Sequence, residues 1–243
     1  MVIEAVKLSV SYDNTQVIKE VSFTLAEGVV AVVGPNGAGK TTLLKAISGL
    51  VSYAGSLKIM NKDLRVFSAE ERARLITYVP PLVDVMPDMS VGDLILSDPL
   101  VSKELLEEYI ELFELSSLLK RRLSKVSSGE LSRALLAKGL SKNSKIVALD
   151  EPLSHIDLRF QLILLKHLRV LSKGGKLILV ASNQLNPLLS YVDRVVALKK
   201  GEVVFTGDVA SFLRSSTPER IYGVKFEVVF KDGYVDIIPR ELA

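Results

Sequence analysis

The chain has 243 residues, 48% of them hydrophobic and 24% charged, with a net charge of +3. These values suit a globular protein with a substantial core and give no electrostatic case for nucleic acid as a partner. The sequence has no cysteine, which excludes disulfides, thiolate metal sites and cysteine nucleophiles, and only two histidines, His155 and His167. Apolar runs such as Val29–Val33 and Leu177–Ala181 are strand-sized, far short of the roughly 20 residues that a bilayer-spanning helix needs. Residues Met1–Val10 alternate like a strand and do not read as a basic stretch before an apolar signal core, so cytoplasmic residence is expected.

Taken in chain order, residues 3–11 and 17–25 alternate apolar with polar positions around Asp13-Asn14, which predicts an antiparallel hairpin. Val29–Val33 is short, wholly apolar and mostly β-branched, the pattern of a buried parallel strand. Next comes Gly34-Pro35-Asn36-Gly37-Ala38-Gly39-Lys40-Thr41, which satisfies G-x-x-x-x-G-K-[ST] at every fixed position. It sits where that motif must sit, after a strand and opening a helix at Lys40–Ser48. Gly37 and Gly39 let successive backbone N–H groups turn into one concavity. The helix N-terminus adds its positive end, Lys40 adds a full charge for the β- and γ-phosphates, and the Thr41 hydroxyl suits Mg²⁺. Residues 34–42, Thr42 included, are the expected ATP contacts.

Leu57–Met60 and Leu75–Val79 read as strands, with a charged helix at Ala69–Arg74 between them. From 82 to 142 leucines recur at helical spacing (Leu105 and Leu106, with Ile110 and Phe113), which predicts a helical insertion. Ile146–Leu149 is a buried strand running into Asp150 and Glu151, at the strand end where open α/β sheets bind ligands. Asp150 is expected to hold Mg²⁺ through a water, and Glu151 to act as general base on the attacking water. The plainer alternative is a pair of acids capping the next helix. Leu158–Leu171 reads as an amphipathic helix stopped by Gly174-Gly175, and Leu177–Ala181 as a strand. Pro187–Tyr191 reads as a short helix, Val195–Leu198 and Val203–Thr206 as strands, and Lys225–Ile238 as two short strands around Asp232-Gly233. The alternation predicts an α/β protein with a mainly parallel sheet covered by helices.

Between the two motifs lies Val126-Ser127-Ser128-Gly129-Glu130, followed by Arg133. By itself such a string is a helix N-cap. In this place it resembles the signature motif of ABC ATPases, usually Leu-Ser-Gly-Gly-Gln. Tyr12, after Ser11, resembles the aromatic that stacks on adenine in that family. Ser154-His155-Ile156-Asp157 resembles its D-loop, and the run from Val192 to Val203 its strand pair after the switch region. The resemblance spans about residues 2 to 215. It leans to the subfamily energising uptake of iron-siderophores, haem and cobalamin, through the run Ala73–Pro80 and the short β tail.

The resemblance implies a single ABC ATPase domain built on a P-loop NTPase core. The core with its N-terminal antiparallel β subdomain would span 2–81 and 143–215, the helical subdomain 82–142 and the β tail 216–243. It implies ATP sandwiched in a head-to-tail dimer, with Ser127, Ser128, Gly129 and Asp157 of one subunit facing the nucleotide held by Lys40 of the other. The implied partners are a second ATP-binding subunit, polytopic permease subunits and an extracellular substrate-binding protein, with the chain on the cytoplasmic face of the membrane. A soluble ABC ATPase is the alternative, but such proteins usually carry tandem domains or large insertions.

Three positions depart from the family. Pro81 stands where a Gln is usual, and Asn183 where a switch His is usual, with Gln184 and His155 as other occupants of that role. Ser128 replaces the first signature Gly. Asn183 can donate a hydrogen bond to a γ-phosphate but carries no proton at neutral pH. ATP binding is therefore expected to be intact and hydrolysis slow, as in a competent but sluggish ATPase or in the weaker member of a heterodimer.

Overall fold

The computed structural model describes residues 2–82 and 88–242; residues 83–87, which fall in the expected helical segment 82–142, lie outside the described residues. The first part runs β1 (Ile3–Tyr12), β2 (Thr15–Leu25), β3 (Gly28–Val33), α1 (Lys40–Ile47), β4 (Ala54–Ile59), β5 (Lys62–Asp63), α2 (Ala69–Leu75) and β6 (Ile76–Val79). Three helices follow, α3 (Val91–Leu96), α4 (Lys103–Leu112) and α5 (Ser128–Leu140). The chain then returns to sheet through β7 (Ile146–Asp150), α6 (Leu158–Lys173), β8 (Leu177–Ser182), β9 (Arg194–Lys199) and β10 (Glu202–Asp208). Beyond it lie α7 (Val209–Arg214), α8 (Thr217–Tyr222), β11 (Val224–Lys231) and β12 (Tyr234–Leu242).

The central sheet has the order β10-β9-β3-β8-β7-β6 and is parallel from β9 to β6, with β10 antiparallel at one edge. Every side chain of β7 and β8 is buried, as are those of Val29–Val33, which is what wholly apolar strands require of a sheet covered on both faces. Alternation divides the strands between two cores. Val30, Val32, Ala148 and Leu179 pack toward α1 and the antiparallel sheet β2-β1-β4-β5. Val29, Ala31, Leu149 and Ile178 pack toward α5 and α6. Each fully buried Leu, Ile or Val is worth about 1.5–3 kcal/mol, so these strands fix the position of the loops at their C-terminal ends.

Helix α5 ties the helical segment to this sheet. Its neighbours are α3, α4 and β6. At Gly139 a Cβ would lie 2.2 Å from Val79 Cγ2, so only glycine lets the helix approach β6 this closely. Nearer its start, the Arg133 guanidinium lies over the Phe160 ring of α6, 4.2 Å from the centroid.

Two departures from expectation concern the last third of the chain. Residues 216–243, read as a β tail, open with helix α8, which has Pro218 in its first turn and Gly223 (φ 68) as a left-handed C-cap. Helix α7, capped by Asp208 through the Ser211 N–H, was not anticipated. Both are too short to show a helical period. The Pro187–Tyr191 helix forms as a 3-10 turn at Leu188–Tyr191.

Candidate active site

The loop from β3 to α1 turns at Gly37 (φ +75) and Gly39 (φ +102), conformations that side-chain-bearing residues rarely adopt. Helix α1 begins with no side-chain cap and no acidic residue in its first turn, so its orphan N–H groups and positive end face the loop unopposed. Lys40, 6% exposed, donates from Nζ to Gly34 O (2.9 Å) and Pro35 O (3.3 Å) and lies 3.4 Å from Glu151 Oε1.

Asp150, at the end of β7, is 1% exposed. Its Oδ2 accepts a hydrogen bond from the Tyr78 hydroxyl at 2.9 Å, while Oδ1 is buried with no hydrogen-bond partner. A buried carboxylate oxygen left without a partner is costly, and a hard cation that prefers oxygen ligands satisfies it. With the Thr41 hydroxyl type next to Lys40, the residues fit Mg²⁺. Burial first, and then the Asp150 charge, push the Tyr78 phenol well up, so it remains a neutral donor.

Glu151 is held in a left-handed conformation (φ 51), which costs about 1–2 kcal/mol. Its Oε2 accepts from the Asn183 N–H (3.3 Å) and the Ser154 hydroxyl (3.4 Å). Asn183 in turn donates from Nδ2 to Asn36 Oδ1 at 3.0 Å, and its own Oδ1 is buried without a partner. Lys40, Glu151, Asn36 and Asn183 thus form one connected network at the C-terminal ends of β3, β7 and β8. Gln184 and His155, the other expected occupants of the switch role, are both exposed, and the Gln184 N–H bonds to Ser182 Oγ. Pro81 shares a small pocket with Asp150, Glu151 and His155, and there it supplies neither an N–H nor a polar side chain.

Tyr12 ends β1 opposite Thr15 and is 43% exposed. Ser127 caps α5 in a capping box: its Oγ accepts from the Glu130 N–H (3.2 Å) and its own N–H donates to Glu130 Oε2 (2.7 Å). That backbone N–H is the main reason the Glu130 carboxyl is held below the usual range. Ser127 and Ser128 are exposed, and a Cβ on Gly129 would lie 2.7 Å from His155 O. Asp157 is exposed and caps α6 through the Phe160 N–H (3.1 Å). Among the described residues no hydrogen bond or ion pair joins Ser127, Ser128, Gly129 or Asp157 to Lys40, Asp150 or Glu151.

Two contributors escape sequence reasoning. Tyr78 reaches Asp150 because β6 lies parallel to β7 with Tyr78 opposite Ala148, a register no local pattern encodes. Tyr222, at the end of α8, buries its hydroxyl beside the Gly34 backbone and within reach of the Glu151 charge without a formed hydrogen bond, and burial chiefly pushes this phenol up.

The chain is similar to known proteins over most of its length. Residues 18–154 match the ABC transporter family. The manganese transport system ATP-binding protein of Halalkalibacterium halodurans is 32% identical over 90% of this chain and 90% of its own length. The hemin import ATP-binding protein of Bordetella pertussis is 29% identical over 94% of this chain and 95% of its own. Among solved structures, an ATP-binding cassette dimer in a post-hydrolysis state bound to ADP and Pi superposes with a TM-score of 0.76. It is 22% identical and covers 85% of this chain and 98% of that one.

Proposed function

The chain belongs to the ABC transporter family of ATPases, and from that premise we propose that it is the ATP-hydrolysing subunit of an importer, working as one half of a two-subunit motor. The observation that carries the reading is the convergence of Lys40, Glu151, Asn36 and Asn183 in one network, with Asp150 next to Glu151, beside an uncapped helix N-terminus. The phosphates of ATP lie along the backbone N–H groups of residues 36–42, and Lys40 exchanges its carbonyl and Glu151 partners for the β- and γ-phosphates. Thr41 and Asp150 would hold Mg²⁺, which when bound supplies charge neutralisation at those phosphates. Glu151 takes a proton from the attacking water as its oxygen bonds to the γ-phosphorus and the bond to the β-phosphate oxygen breaks, releasing ADP and phosphate. Asn183 orients the γ-phosphate through its amide.

Tyr12 offers an exposed ring to the adenine. Among the described residues, Ser127, Ser128, Gly129 and Asp157 have no hydrogen bond or ion pair to Lys40, Asp150 or Glu151 of their own chain, which supports their facing the nucleotide of a second subunit. The core with its antiparallel β subdomain spans 2–81 and 143–215, the helical subdomain 82–142, and the tail 216–243 includes α8.

The cargo is read as a metal chelate of the haem, siderophore or cobalamin kind, supported by the hemin-import relative. A free metal ion is the second reading, favoured by the manganese relative. Cargo contacts would lie on permease and extracellular binding-protein partners. No helix among the described residues is long and apolar enough to cross a membrane, so the chain would reach the cytoplasmic face of the bilayer through its permease. A weaker catalytic role beside a different ATP-binding subunit is favoured by Pro81 and Asn183 at the acidic pair.

Replacing Glu151 with Gln tests the core of this reading. Turnover should fall at least about 10²-fold, the ordinary worth of a general base, while ATP affinity stays and an ATP-bound dimer elutes from a sizing column. Normal hydrolysis by Glu151→Gln would remove the base assignment.

A further inference from the structure

The segment that follows Asn183 is bonded to the far end of the chain in an unusual way. Asn186 acts as a neighbouring strand would: its Nδ2 donates to Ile237 O (3.0 Å) and to the Asp236 carboxylate, and its Oδ1 accepts from the Ile237 N–H (3.2 Å). Ser190 does the same one pleat away, donating to Val235 O (2.9 Å) and accepting from the Val235 N–H (3.0 Å). Two side chains thus satisfy alternate backbone positions along β12, where an edge strand otherwise presents unpaired groups. The side chains of Val235 and Ile237 are 8% and 3% exposed, and Leu185, between Asn183 and Asn186, is 7% exposed. The Tyr191 and Tyr234 rings, 6.1 Å apart, extend the seam.

We propose that the β11–β12 hairpin is a positioning element for hydrolysis, with Asn186 and Ser190 as the positioning residues that hold Asn183 against Glu151 and Asn36. This rests on the ATPase reading above and deepens it. Asn183 is pinned from one side by Glu151 and Asn36, and from the other by a short stretch anchored on β12. An amide at this position contributes by orientation alone, since it transfers no proton. Orientation is sensitive to distance, a displacement of about 1 Å being able to cost up to about 10²-fold. The same tail meets the site a second time, where Tyr222, the residue before the Gly223 turn into β11, lies beside Gly34.

The test is single-turnover hydrolysis of saturating Mg-ATP by the full chain, with nucleotide Kd and Tm measured on the same samples. Asn186→Leu and Ser190→Ala should each lower the hydrolytic rate about tenfold with Kd within twofold, and Ser190→Thr, which keeps the hydroxyl, should restore what Ser190→Ala loses. Asn183→Ala should lower the rate similarly, and adding Asn186→Leu to it should change nothing more, because both act through one group. A purely structural hairpin predicts instead that the two losses multiply; multiplication, or an unaltered rate in Asn186→Leu, overturns the proposal. A second readout does not need turnover. In Glu151→Gln, Mg-ATP should slow amide exchange at Val235 and Ile237, and Asn183→Ala should abolish that slowing; exchange indifferent to ATP counts against the hairpin's role. Absence of any hydrolysis in the unsubstituted chain would instead sink the ATPase reading, and brisk hydrolysis by Glu151→Gln the base assignment; the hairpin variants produce neither outcome.

Discussion

Lys40 and Ser127 each stand at the first turn of a helix, yet the two helix ends are built to opposite plans. At Lys40 the helix is uncapped, the approaching backbone is forced through positive φ at Gly37 and Gly39, and the lysine is buried among Gly34, Pro35 and Glu151. At Ser127 the helix is closed by a reciprocal capping box with Glu130, and Ser127 and Ser128 face solvent. The first end leaves its donors for a ligand and is held rigid by the buried strands behind it. The second satisfies its own donors and is stable as an exposed surface. The difference separates two kinds of energy: changes at the cradle should act on nucleotide binding within one chain, and changes at the signature on the joining of two chains.

The largest effect expected from this contrast is at Lys40. Lys40→Ala removes a buried charge and leaves Glu151 without its counter-ion. Because charge-assisted hydrogen bonds are worth about 1.5–3 kcal/mol each, ATP affinity should fall about 100-fold. A fluorescence titration with Mg-ATP measures it, and wild-type affinity would break the comparison at its stronger end. A smaller and differently placed effect is expected for Gly129→Ala. Its new Cβ would lie 2.7 Å from His155 O, so α5 must shift against the 154–157 turn. Affinity of the single chain for ATP should stay within about twofold, while ATP-driven dimerisation of Glu151→Gln weakens about tenfold, one such step being about 1.4 kcal/mol. Sedimentation velocity decides it, and unaltered dimerisation would show that the signature is not the intersubunit half.

The smallest effect concerns the seam that holds α4 against the core. His167 Nε2 lies 3.0 Å from the Tyr109 hydroxyl, and the two rings meet edge to face at 5.2 Å. Burial lowers the imidazole pKa below the ordinary histidine value of about 6.5, with the Glu108 charge opposing. The unfolded chain therefore binds this proton more readily than the folded one. The stabilising contribution is whole above about pH 6.5 and is lost as pH falls through the lowered folded value. His167→Leu should flatten that part of a Tm-against-pH curve between pH 7.5 and 5; an unchanged slope would assign the acid sensitivity elsewhere.

Much of the nucleotide site is legible locally because its parts are local. The cradle is one contiguous run, Asp150 and Glu151 follow directly on their strand, and Ser127 with Glu130 announces a cap three residues apart. What hides are partners brought together by folding. Tyr78 meets Asp150 only through the parallel register of β6 and β7, and the bonds of Asn186 and Ser190 to β12 join residues some fifty positions apart. Helices α7 and α8, six residues each, are shorter than the window in which a helical period becomes visible. Asn183 was legible as a departure from a family pattern, but its engagement with Asn36 was not.

The contact of Gly139 with Val79 has a mechanical consequence. It clamps one end of α5 to the sheet edge, while the other end, carrying Ser127, stands at the surface. At 1.5 Å of rise per residue, Ser127 lies about 18 Å along the helix axis from that clamp, so a tilt of about 10° about Gly139 carries it about 3 Å. The helix is then a lever with its fulcrum on β6, and small changes in how the sheet edge seats are magnified at the tip. The Arg133–Phe160 stack sits midway along this arm and links it to α6.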